Sequence, residues 1–307
     1  MAEPSGPPPR FRPETVRDAL CFAIRGRALL RHAIESIAAA PAATTAAELA
    51  TLQRTAAVAL LRHLRVDFHT TGLEHVTPTP GIVIALHEGI VDALCLCALP
   101  IALRFVARRE IFAWPEFGPM LQRAQHIAVR PEAGASEYRP LLRAVRAAIH
   151  EGLHVVIFPQ GTLLGIETAF QRGAFVLART LGTSIQPIVI TGTHRVWEHP
   201  FSPTLRYGQS VRMDVLPAVS ASTVLRADPG GLRVDLQRRM KGVALASDRP
   251  SARRYIPSRD GNWDGFRFDI DPEFSLGRSA SVRASVPSAL EIPAPDRDVS
   301  PRTLQEP

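Results

Sequence analysis

The sequence predicts an α/β protein: a mixed, mostly parallel sheet covered by helices on both faces, with an N-terminal amphipathic helical hairpin. Short apolar runs alternate with segments of helical periodicity from residue 66 onward. Several of these runs are continuously apolar, as in strands that are buried on both faces. The chain has 307 residues, of which 46% are hydrophobic, so it can bury one large core and carry extensions.

The N-terminal region has the pattern of an amphipathic helix. Residues 1–13 are rich in proline and glycine, and we expect them to be disordered. Residues 14–38 have helical periodicity. One broad apolar face is predicted to contain Val16, Leu20, Ile24, Ala28, Ile34 and Ile37. Arginines occupy much of the remaining surface, at positions 17, 25, 27 and 31.

A second helix is predicted after Pro41. Thr44 or Thr45 is placed to cap it, and Glu48 is placed to reach back from its first turn. Residues 14–65 together are therefore predicted to form a helical hairpin. Two interpretations of the hairpin stay open, and both can hold. It covers the core, or it lies on an anionic bilayer with its arginine side chains reaching the headgroups.

Residues 66–248 have the alternating pattern of a sheet with covering helices. Strands are predicted at 66–70, 82–86, 103–107, 127–129, 155–158, 185–190 and 211–216, the last at an edge of the sheet. Helices are predicted at 91–99, 117–123, 141–149, 173–181 and 232–245. Residues 249–307 lose this periodicity and are rich in Pro, Ser, Arg and Asp, so we expect a largely disordered tail. Within the tail, segment 261–274 has enough aromatic residues to dock, but its sequence indicates no function.

The charge of the chain indicates an anionic partner. The formal net charge is +7 and the pI is near 10.2. A membrane surface or a phosphate-bearing substrate fits this charge. Nucleic acid fits less well, because the sequence has neither an aromatic-rich RNA-binding strand nor paired Cys/His spacings. We therefore expect no nucleic-acid partner.

The cysteines and the hydropathy pattern favour a peripheral protein on the cytoplasmic face of the membrane. Cys21, Cys95 and Cys97 lie in apolar contexts, as buried thiols do in a reducing compartment. The two neighbouring cysteines are too few for a structural zinc site, which takes four ligands, so no metal is expected. No run approaches the ~18–20 apolar residues of a membrane span, and no N-terminal signal core is present.

His87 and Asp92 form a candidate catalytic pair. Both follow the strand predicted at 82–86, and functional groups of α/β proteins collect at the carboxyl ends of strands. Residues five apart on an ideal helix point ~140° apart, so the pair meets only if His87 lies in the loop before the helix. Asp92 would then fix the imidazole tautomer, and the other ring nitrogen would accept a proton from a substrate hydroxyl. Taken alone, the spacing also fits a surface histidine beside an aspartate in a first helical turn.

Further blocks follow in order over residues 66–220. The four blocks are His87-x4-Asp92; residues 105–111 (FVARREI) with Arg130 on the next strand; residues 158–162 (FPQGT) with 170–175 (FQRGAF); and residues 185–190 (IQPIVI). Together they resemble the glycerolipid acyltransferase family, whose bacterial members acylate 1-acylglycerol-3-phosphate. The resemblance implies an acyltransferase domain at residues 66–248, with His87 and Asp92 as its catalytic pair.

The resemblance also implies a set of substrate-binding residues. They are Arg108, Arg130, Gln160, Gly161, Thr162 and Arg172. Guanidinium groups bind phosphate through paired hydrogen bonds. Gly161 permits a tight turn close to the substrate, and Thr162 offers a hydroxyl. Each arginine has an alternative role as a solvated or ion-paired side chain, and Thr162 has one as a cap.

Three departures from the family pattern concern the acceptor. Family members commonly have asparagine before the histidine, glutamate in the Pro-x-Gly turn and arginine after the threonine. This chain has Leu86, Gln160 and Leu163 at these positions. Gln160 keeps the shape and hydrogen bonding of glutamate, whereas Leu163 cannot bind phosphate. Either the acceptor lacks the usual phosphate, or Arg130 and Arg172 bind it differently.

The predicted function is O-acyl transfer from acyl-CoA or acyl carrier protein to a hydroxyl of a lysophospholipid or related lipid. The default acceptor is 1-acylglycerol-3-phosphate. His87 is the base, so no cofactor is expected beyond the acyl donor as co-substrate. The expected partners are an anionic membrane surface, the thioester donor and the lipid acceptor.

Other classes of function fit less well. A non-catalytic lipid-binding homologue is the main alternative, because Leu86, Gln160 and Leu163 depart from the family pattern. A condensation-type acyltransferase fits poorly, since Glu88 stands where its second histidine belongs. A hydrolase of the α/β class would need a Gly-x-Ser-x-Gly elbow, and the sequence has none.

Overall fold

A computed structural model of the protein describes residues 12–130, 133–163, 165–197, 204–247, 269–271 and 273. Disorder was predicted for residues 1–13, of which residues 1–11 lie outside this description. The prediction is wrong for Arg12 and Pro13, because their backbone forms a short strand paired with residues 204–205. Most of the predicted tail at 249–307, including the greater part of segment 261–274, also lies outside this description.

A seven-stranded mixed sheet forms the centre of the molecule. The strands of the protein are β1 (Arg12–Pro13), β2 (Asp67–Thr71), β3 (Ile82–Ala85), β4 (Leu103–Arg108), β5 (Ile127–Val129), β6 (His154–Ile157), β7 (Ile185–Thr191), β8 (Thr204–Leu205) and β9 (Ser210–Val215). The large sheet has the order β2-β9-β7-β3-β6-β4-β5, and β1 pairs separately with β8. In the large sheet every neighbouring pair is parallel except β7 with β9. The predicted mixed, mostly parallel sheet is confirmed.

One strand was predicted in the wrong place. The run at 211–216 was expected at an edge, but β9 lies between β2 and β7, and β2 is the edge strand. The side chains of β2 alternate between exposed and half-buried, as an edge strand permits. An inner position tolerates the charges of β9 because Arg212 Nη2 donates to Asp214 Oδ1 at 2.7 Å. The two charges therefore compensate each other within the strand.

Helices cover both faces of the sheet, as predicted. They are α1 (Val16–Cys21), α2 (Arg27–Ala38), α3 (Ala46–His63), α4 (Val91–Cys97), α5 (Gly118–Arg123), α6 (Ala135–His150), α7 (Gly173–Leu181), α8 (Thr193–Val196), α9 (Ala221–Arg226) and α10 (Pro229–Ala246). Alternate residues of β3 contribute to two separate cores, Ile82 and Ile84 to one and Val83 and Ala85 to the other. This alternation explains the continuous apolar run of β3, because neither face meets solvent. The short helices α8 and α9 were not predicted.

The hairpin forms largely as the sequence indicated. Thr45 accepts a hydrogen bond from Glu48 N at 3.3 Å, and Glu48 Oε2 accepts one from Thr45 N at 2.7 Å. This reciprocal pair is a capping box, so Thr45 starts α3. Helices α1 and α2 are joined by a π-helical turn at Phe22–Gly26, and α2 packs on α3.

The apolar face predicted for the first helix is wrong over α1 and the turn that follows it. The exposed fractions of Val16, Leu20 and Ile24 are 88%, 60% and 64%. The opposite side packs inward instead, because Phe22 joins one of the cores and Asp18 accepts a hydrogen bond from Arg65 at 3.2 Å. An apolar stripe at i, i+4 spacing therefore faces outward.

Candidate active site

The parallel strands bring the chemistry-bearing blocks to one side of the sheet. The carboxyl ends of β3, β6, β4 and β5 form a common rim, since these strands are parallel neighbours. His87 follows β3, residues 158–162 follow β6, Arg108 ends β4 and Arg130 follows β5. This carboxyl-terminal rim is where α/β proteins bind their ligands.

His87 and Asp92 are in direct contact. His87 lies in the loop after β3, Asp92 lies in the first turn of α4, and His87 Nδ1 is 2.7 Å from Asp92 Oδ2. The Asp92 side chain is fully buried, whereas that of His87 is 18% exposed. A carboxylate at Nδ1 favours the tautomer with its proton there and leaves Nε2 as an acceptor. The ring also stacks on Phe158, with 3.8 Å between centroids, so its orientation is held on two sides.

The Asp92 carboxylate is saturated with hydrogen bonds. Its Oδ2 accepts from the backbone N–H of Glu88 at 2.7 Å and of Gly89 at 3.1 Å, besides its contact with His87. Its Oδ1 accepts from the hydroxyl of Thr193, which is fully buried at the start of α8. Buried charges are tolerated when they are paired and hydrogen-bonded in this way. Thr193 therefore belongs to the site, although the sequence analysis did not single it out.

A second acid–histidine contact lies beside the first. Glu88 Oε2 accepts from the backbone N–H of Gly192 at 2.9 Å and lies 2.9 Å from His194 Nδ1. The side chain of Glu88 is fully buried and that of His194 is 12% exposed. The loop after β3 is thus tied twice to the segment after β7. The sequence offered one signal for Thr193 and His194, which is their position directly after the last strand block. Because β7 is the parallel neighbour of β3, residues after the two strands lie at the same edge of the sheet.

Gln160 supports the backbone of His87. Its side chain is fully buried, and its Oε1 accepts from the backbone N–H of His87 at 2.7 Å. Its Nε2 donates to the carbonyl of Gly165 and to Thr168 Oγ1, the latter at 3.4 Å. An ionised glutamate could not make these donor contacts, so the amide has a physical role at this position. The structure places Gln160 beneath the loop of His87.

The rest of the 158–162 turn shapes the wall next to His87. Gly161 has φ +69°, a conformation that glycine adopts without strain. Thr162 is 4% exposed, and its Oγ1 has no hydrogen-bond partner among the described residues. Leu163 is 9% exposed, so it adds apolar surface to this wall.

The predicted arginines fall into two places. Arg108 and Arg130 lie at the ends of neighbouring strands, with acidic partners close by. Arg108 Nε is 3.4 Å from Glu110, and Arg130 Nη2 is 2.8 Å from Glu137. Arg172 is 63% exposed and pairs at 3.9 Å with Asp228 at the start of α10. Among the described contacts, none joins Arg172 to His87 or to the other two arginines.

Comparisons with known proteins agree with this arrangement. Residues 67–191 match the family model described as Acyltransferase. A 1-acyl-sn-glycerol-3-phosphate acyltransferase of Limnanthes alba is 30% identical over 158 residues, which cover 48% of this chain and 56% of that protein. A protein of the same name from Pseudomonas aeruginosa is 24% identical over 159 residues, covering 51% and 60%. A lyso-ornithine lipid O-acyltransferase of P. aeruginosa is 28% identical over 114 residues, covering 36% and 43%.

The similarity in sequence covers part of each relative, and the similarity in structure covers most of the chain. The chain spans about half the length of several curated relatives that it matches. The crystal structure of PlsC, the 1-acyl-sn-glycerophosphate (LPA) acyltransferase of Thermotoga maritima, superposes with a TM-score of 0.62 at 16% identity. The superposition covers 76% of this chain and 95% of that one, and it shows a shared fold.

Proposed function

We propose that the chain is a lipid O-acyltransferase, because its residues 67–191 match the Acyltransferase family model and the chain resembles 1-acyl-sn-glycerol-3-phosphate acyltransferases. It moves a fatty acyl group from a thioester donor to a hydroxyl of a lipid acceptor. The observation that carries the proposal is the contact of 2.7 Å between His87 Nδ1 and the buried Asp92 carboxylate. That contact leaves Nε2 as the basic nitrogen at a partly exposed position on the rim.

The reaction follows from this pair. His87 Nε2 accepts the hydroxyl proton while the hydroxyl oxygen attacks the thioester carbonyl, so that a C–O bond forms and a C–S bond breaks. The proton then passes from the imidazolium to the departing thiolate, giving an ester and a free thiol. Asp92 stabilises the imidazolium and holds its orientation, as the acid of a catalytic triad does. No acyl-enzyme intermediate is required, because the acceptor hydroxyl takes the place of a serine.

Thr162 is suited to bind a substrate oxygen. A buried hydroxyl without a partner costs about 1–3 kcal/mol, and a bound substrate would remove that cost. Its position in the turn after β6, the strand next to β3, places it on the same part of the rim as His87. We assign it to the acceptor hydroxyl or to the oxygen of the tetrahedral intermediate.

The test of the reaction compares wild type, His87→Ala and Asp92→Asn on a panel of lysolipids with acyl-CoA and with acyl carrier protein as donors. Product esters are measured by mass spectrometry. We expect His87→Ala to lower kcat by about 10²–10⁴-fold, which is the contribution of a general base. His69→Ala is the matched control, because His69 is exposed on the edge strand β2. Equal turnover by all four proteins would exclude the mechanism.

The default acceptor is 1-acylglycerol-3-phosphate, and the arginines at the rim support it. Arg130 is half exposed, and Arg108 lies at the end of the neighbouring strand. Guanidinium groups are well suited to bind a phosphate. The names of the relatives from L. alba and P. aeruginosa point to the same acceptor.

A phosphate-free, zwitterionic acceptor is the second candidate. Leu163 removes one cation of the family pattern, and Glu137 shares the rim with Arg130 at 2.8 Å. Such a mixed-charge cluster matches a headgroup that carries both an ammonium and a carboxylate. The relative named a lyso-ornithine lipid O-acyltransferase acts, by its name, on a lipid of this kind. A higher kcat/KM for lyso-ornithine lipid than for 1-acylglycerol-3-phosphate would decide for it.

Attachment to the cytoplasmic face of an anionic membrane is also part of the proposal. The exposed stripe of Val16, Leu20 and Ile24 is accompanied by exposed arginines at 17, 25, 27 and 31. Apolar side chains flanked by cations suit the interface of an anionic bilayer. None of the helices in the described ranges is both long and apolar enough to cross a bilayer.

The membrane proposal is tested with liposomes that contain anionic lipid at low salt. We expect Arg25→Glu, Arg27→Glu and Arg31→Glu together to weaken binding, and Leu20→Ser with Ile24→Ser to weaken it further. Changing exposed Arg139, Arg143 and Arg146 on α6 to Glu is the charge-matched control. Unchanged binding by the stripe variants at low salt, where the attraction is strongest, would refute the attachment.

A further inference from the structure

The described part of the C-terminal tail docks beside the active-site loop. Residues 269–271 run along residues 167–169, and an antiparallel bridge joins Thr168 to Ile270. Two backbone hydrogen bonds of 2.8 Å secure the contact, from Ala169 N to the Asp269 carbonyl and from Asp271 N to the Glu167 carbonyl. The tail therefore adds a short extended strand to this loop. These tail residues lie far outside the region that matches the family model.

A buried ion pair anchors the docked tail. Lys241, the only lysine of the chain, is fully buried in α10, and its Nζ lies 2.7 Å from Asp271 Oδ2. Gln237 Nε2 donates to the same oxygen at 2.7 Å. Burial lowers the pKa of Lys241 to about 8, and the hydrogen bond with Asp271 opposes that shift. A buried lysine of this kind depends on its partner, because removing one member of a buried pair leaves an uncompensated charge.

The same lysine continues the contact toward His87. Lys241 Nζ donates to the carbonyl of Thr168 at 2.7 Å, and Thr168 Oγ1 accepts from Gln160 Nε2 at 3.4 Å. Gln160 Oε1 in turn accepts from the backbone N–H of His87 at 2.7 Å. Gly165 N donates to the His87 carbonyl at 3.0 Å. The loop at 165–170 therefore touches the tail on one side and, on the other, the carbonyl of His87 and the side chain of Gln160, which holds the His87 N–H.

We propose that Asp271 and Lys241 are positioning residues for the reaction: the docked tail holds the 165–170 loop, and the loop holds Gln160 and the backbone of His87. Neither residue touches the reacting atoms. The kinetic part of this inference rests on the proposed acyl transfer, whereas its structural part does not. It accounts for one peculiarity of the sequence, the single lysine, which holds residues 269–271 of the tail against the loop.

The experiment uses the full chain and compares Asp271→Asn with Glu273→Gln. Asp271→Asn keeps the size of the side chain and removes its charge. Glu273→Gln is the matched control on the same segment, because the Glu273–Arg238 pair is exposed and such pairs contribute little. We expect Asp271→Asn to lower kcat about tenfold or more with the KM of the donor within about twofold, as misplacement of a catalytic group does. The control should keep the wild-type values.

Amide hydrogen exchange supplies a readout that is independent of turnover. In Asp271→Asn we expect faster exchange at the backbone N–H of Ala169 and of His87, and in the control we expect none. If the backbone amides of Ala169 and His87 exchange in Asp271→Asn at the wild-type rate, the proposal is overturned. If the wild type itself transfers no acyl group, the proposed function has failed, and exchange still decides whether the tail holds the loop.

A second variant covers the case in which Asp271→Asn does not fold. Lys241→Met combined with Asp271→Leu removes both buried charges, and replacing a whole buried pair by apolar residues is often tolerated. This double variant also removes the hydrogen bond from Lys241 to Thr168. We expect it to fold and to show the same faster exchange at His87. A folded double variant with wild-type exchange and wild-type kcat would equally overturn the proposal.

Discussion

The two ends of the carboxyl-terminal rim hold their polar side chains in different ways. At the His87 end, the buried carboxylate of Asp92 accepts hydrogen bonds on both oxygens. At the other end, Arg130 is half exposed and shares Glu137 with Arg109, which lies 3.8 Å from that carboxylate. A buried, saturated pair keeps one geometry, whereas exposed ion pairs are weak and exchange partners easily. Under the proposed function, the reaction chemistry is therefore preset, and recognition of the headgroup is adaptable.

Of the three substitutions that compare the two ends, Thr193→Val at the preset end is expected to have the largest effect. The substitution keeps the shape of the side chain but leaves Asp92 Oδ1 without its hydroxyl donor, which costs about 1–3 kcal/mol in a buried site. We expect kcat to fall about ten- to hundredfold, measured with the best acceptor of the panel. Thr193→Ser retains the hydroxyl and should restore most of the activity. Wild-type kcat in Thr193→Val would show that Asp92 does not depend on this contact.

An intermediate effect is expected from Gln160→Glu, which installs the residue common in the family. The carboxylate cannot donate to the carbonyl of Gly165, and two oxygens would then face each other in a buried place. We expect the free energy of unfolding to fall by about 1–3 kcal/mol in urea titrations. Gln122→Glu is the control, because the amide of Gln122 makes its hydrogen bond at the surface. Unchanged stability of Gln160→Glu would mean that the loop readily repacks.

The smallest effect is expected at the adaptable end, from Arg130→Gln. We expect the KM for an anionic acceptor to rise about fivefold or less, with kcat within about twofold, since a contact between exposed charges contributes about 0.2–1 kcal/mol. Arg172→Gln should change neither constant more than about twofold, because its ion pair with Asp228 lies away from the other arginines. Equal changes in KM from Arg130→Gln and Arg172→Gln would show that the two arginines do not differ in their contribution to acceptor binding.

Much of the fold follows from local patterns. Strands such as β3 and β7 are continuous apolar runs, and Thr45 with Glu48 has a complete capping signal, so the sequence predicts these elements directly. The first helix shows where this reasoning ends. Its periodicity identifies an apolar stripe, yet the side that packs inward is decided by the Asp18–Arg65 pair and by Phe22. Those contacts join residues that are remote in sequence, and periodicity carries no information about them.

The same division applies to the site. Five positions separate His87 from Asp92, and the strand-then-helix context dictates how they meet. Thr193 and His194 reach the same loop from about a hundred positions away in the chain. Only the order of the strands, with β7 beside β3, brings them there. A site residue that depends on sheet order is invisible to a reading of local motifs.

The small pairing of β1 with β8 has a practical consequence. Glu14 N donates to the Leu205 carbonyl at 3.1 Å, and Leu205 in turn bridges Trp197 at the end of α8. Trp197 N donates to the carbonyl of Thr193, the residue that holds Asp92. Removing the residues before Glu14, or fusing a bulky partner directly to Glu14, would therefore disturb a series of contacts that ends at Asp92. Expression designs should therefore keep β1 intact and carry any affinity handle on a spacer.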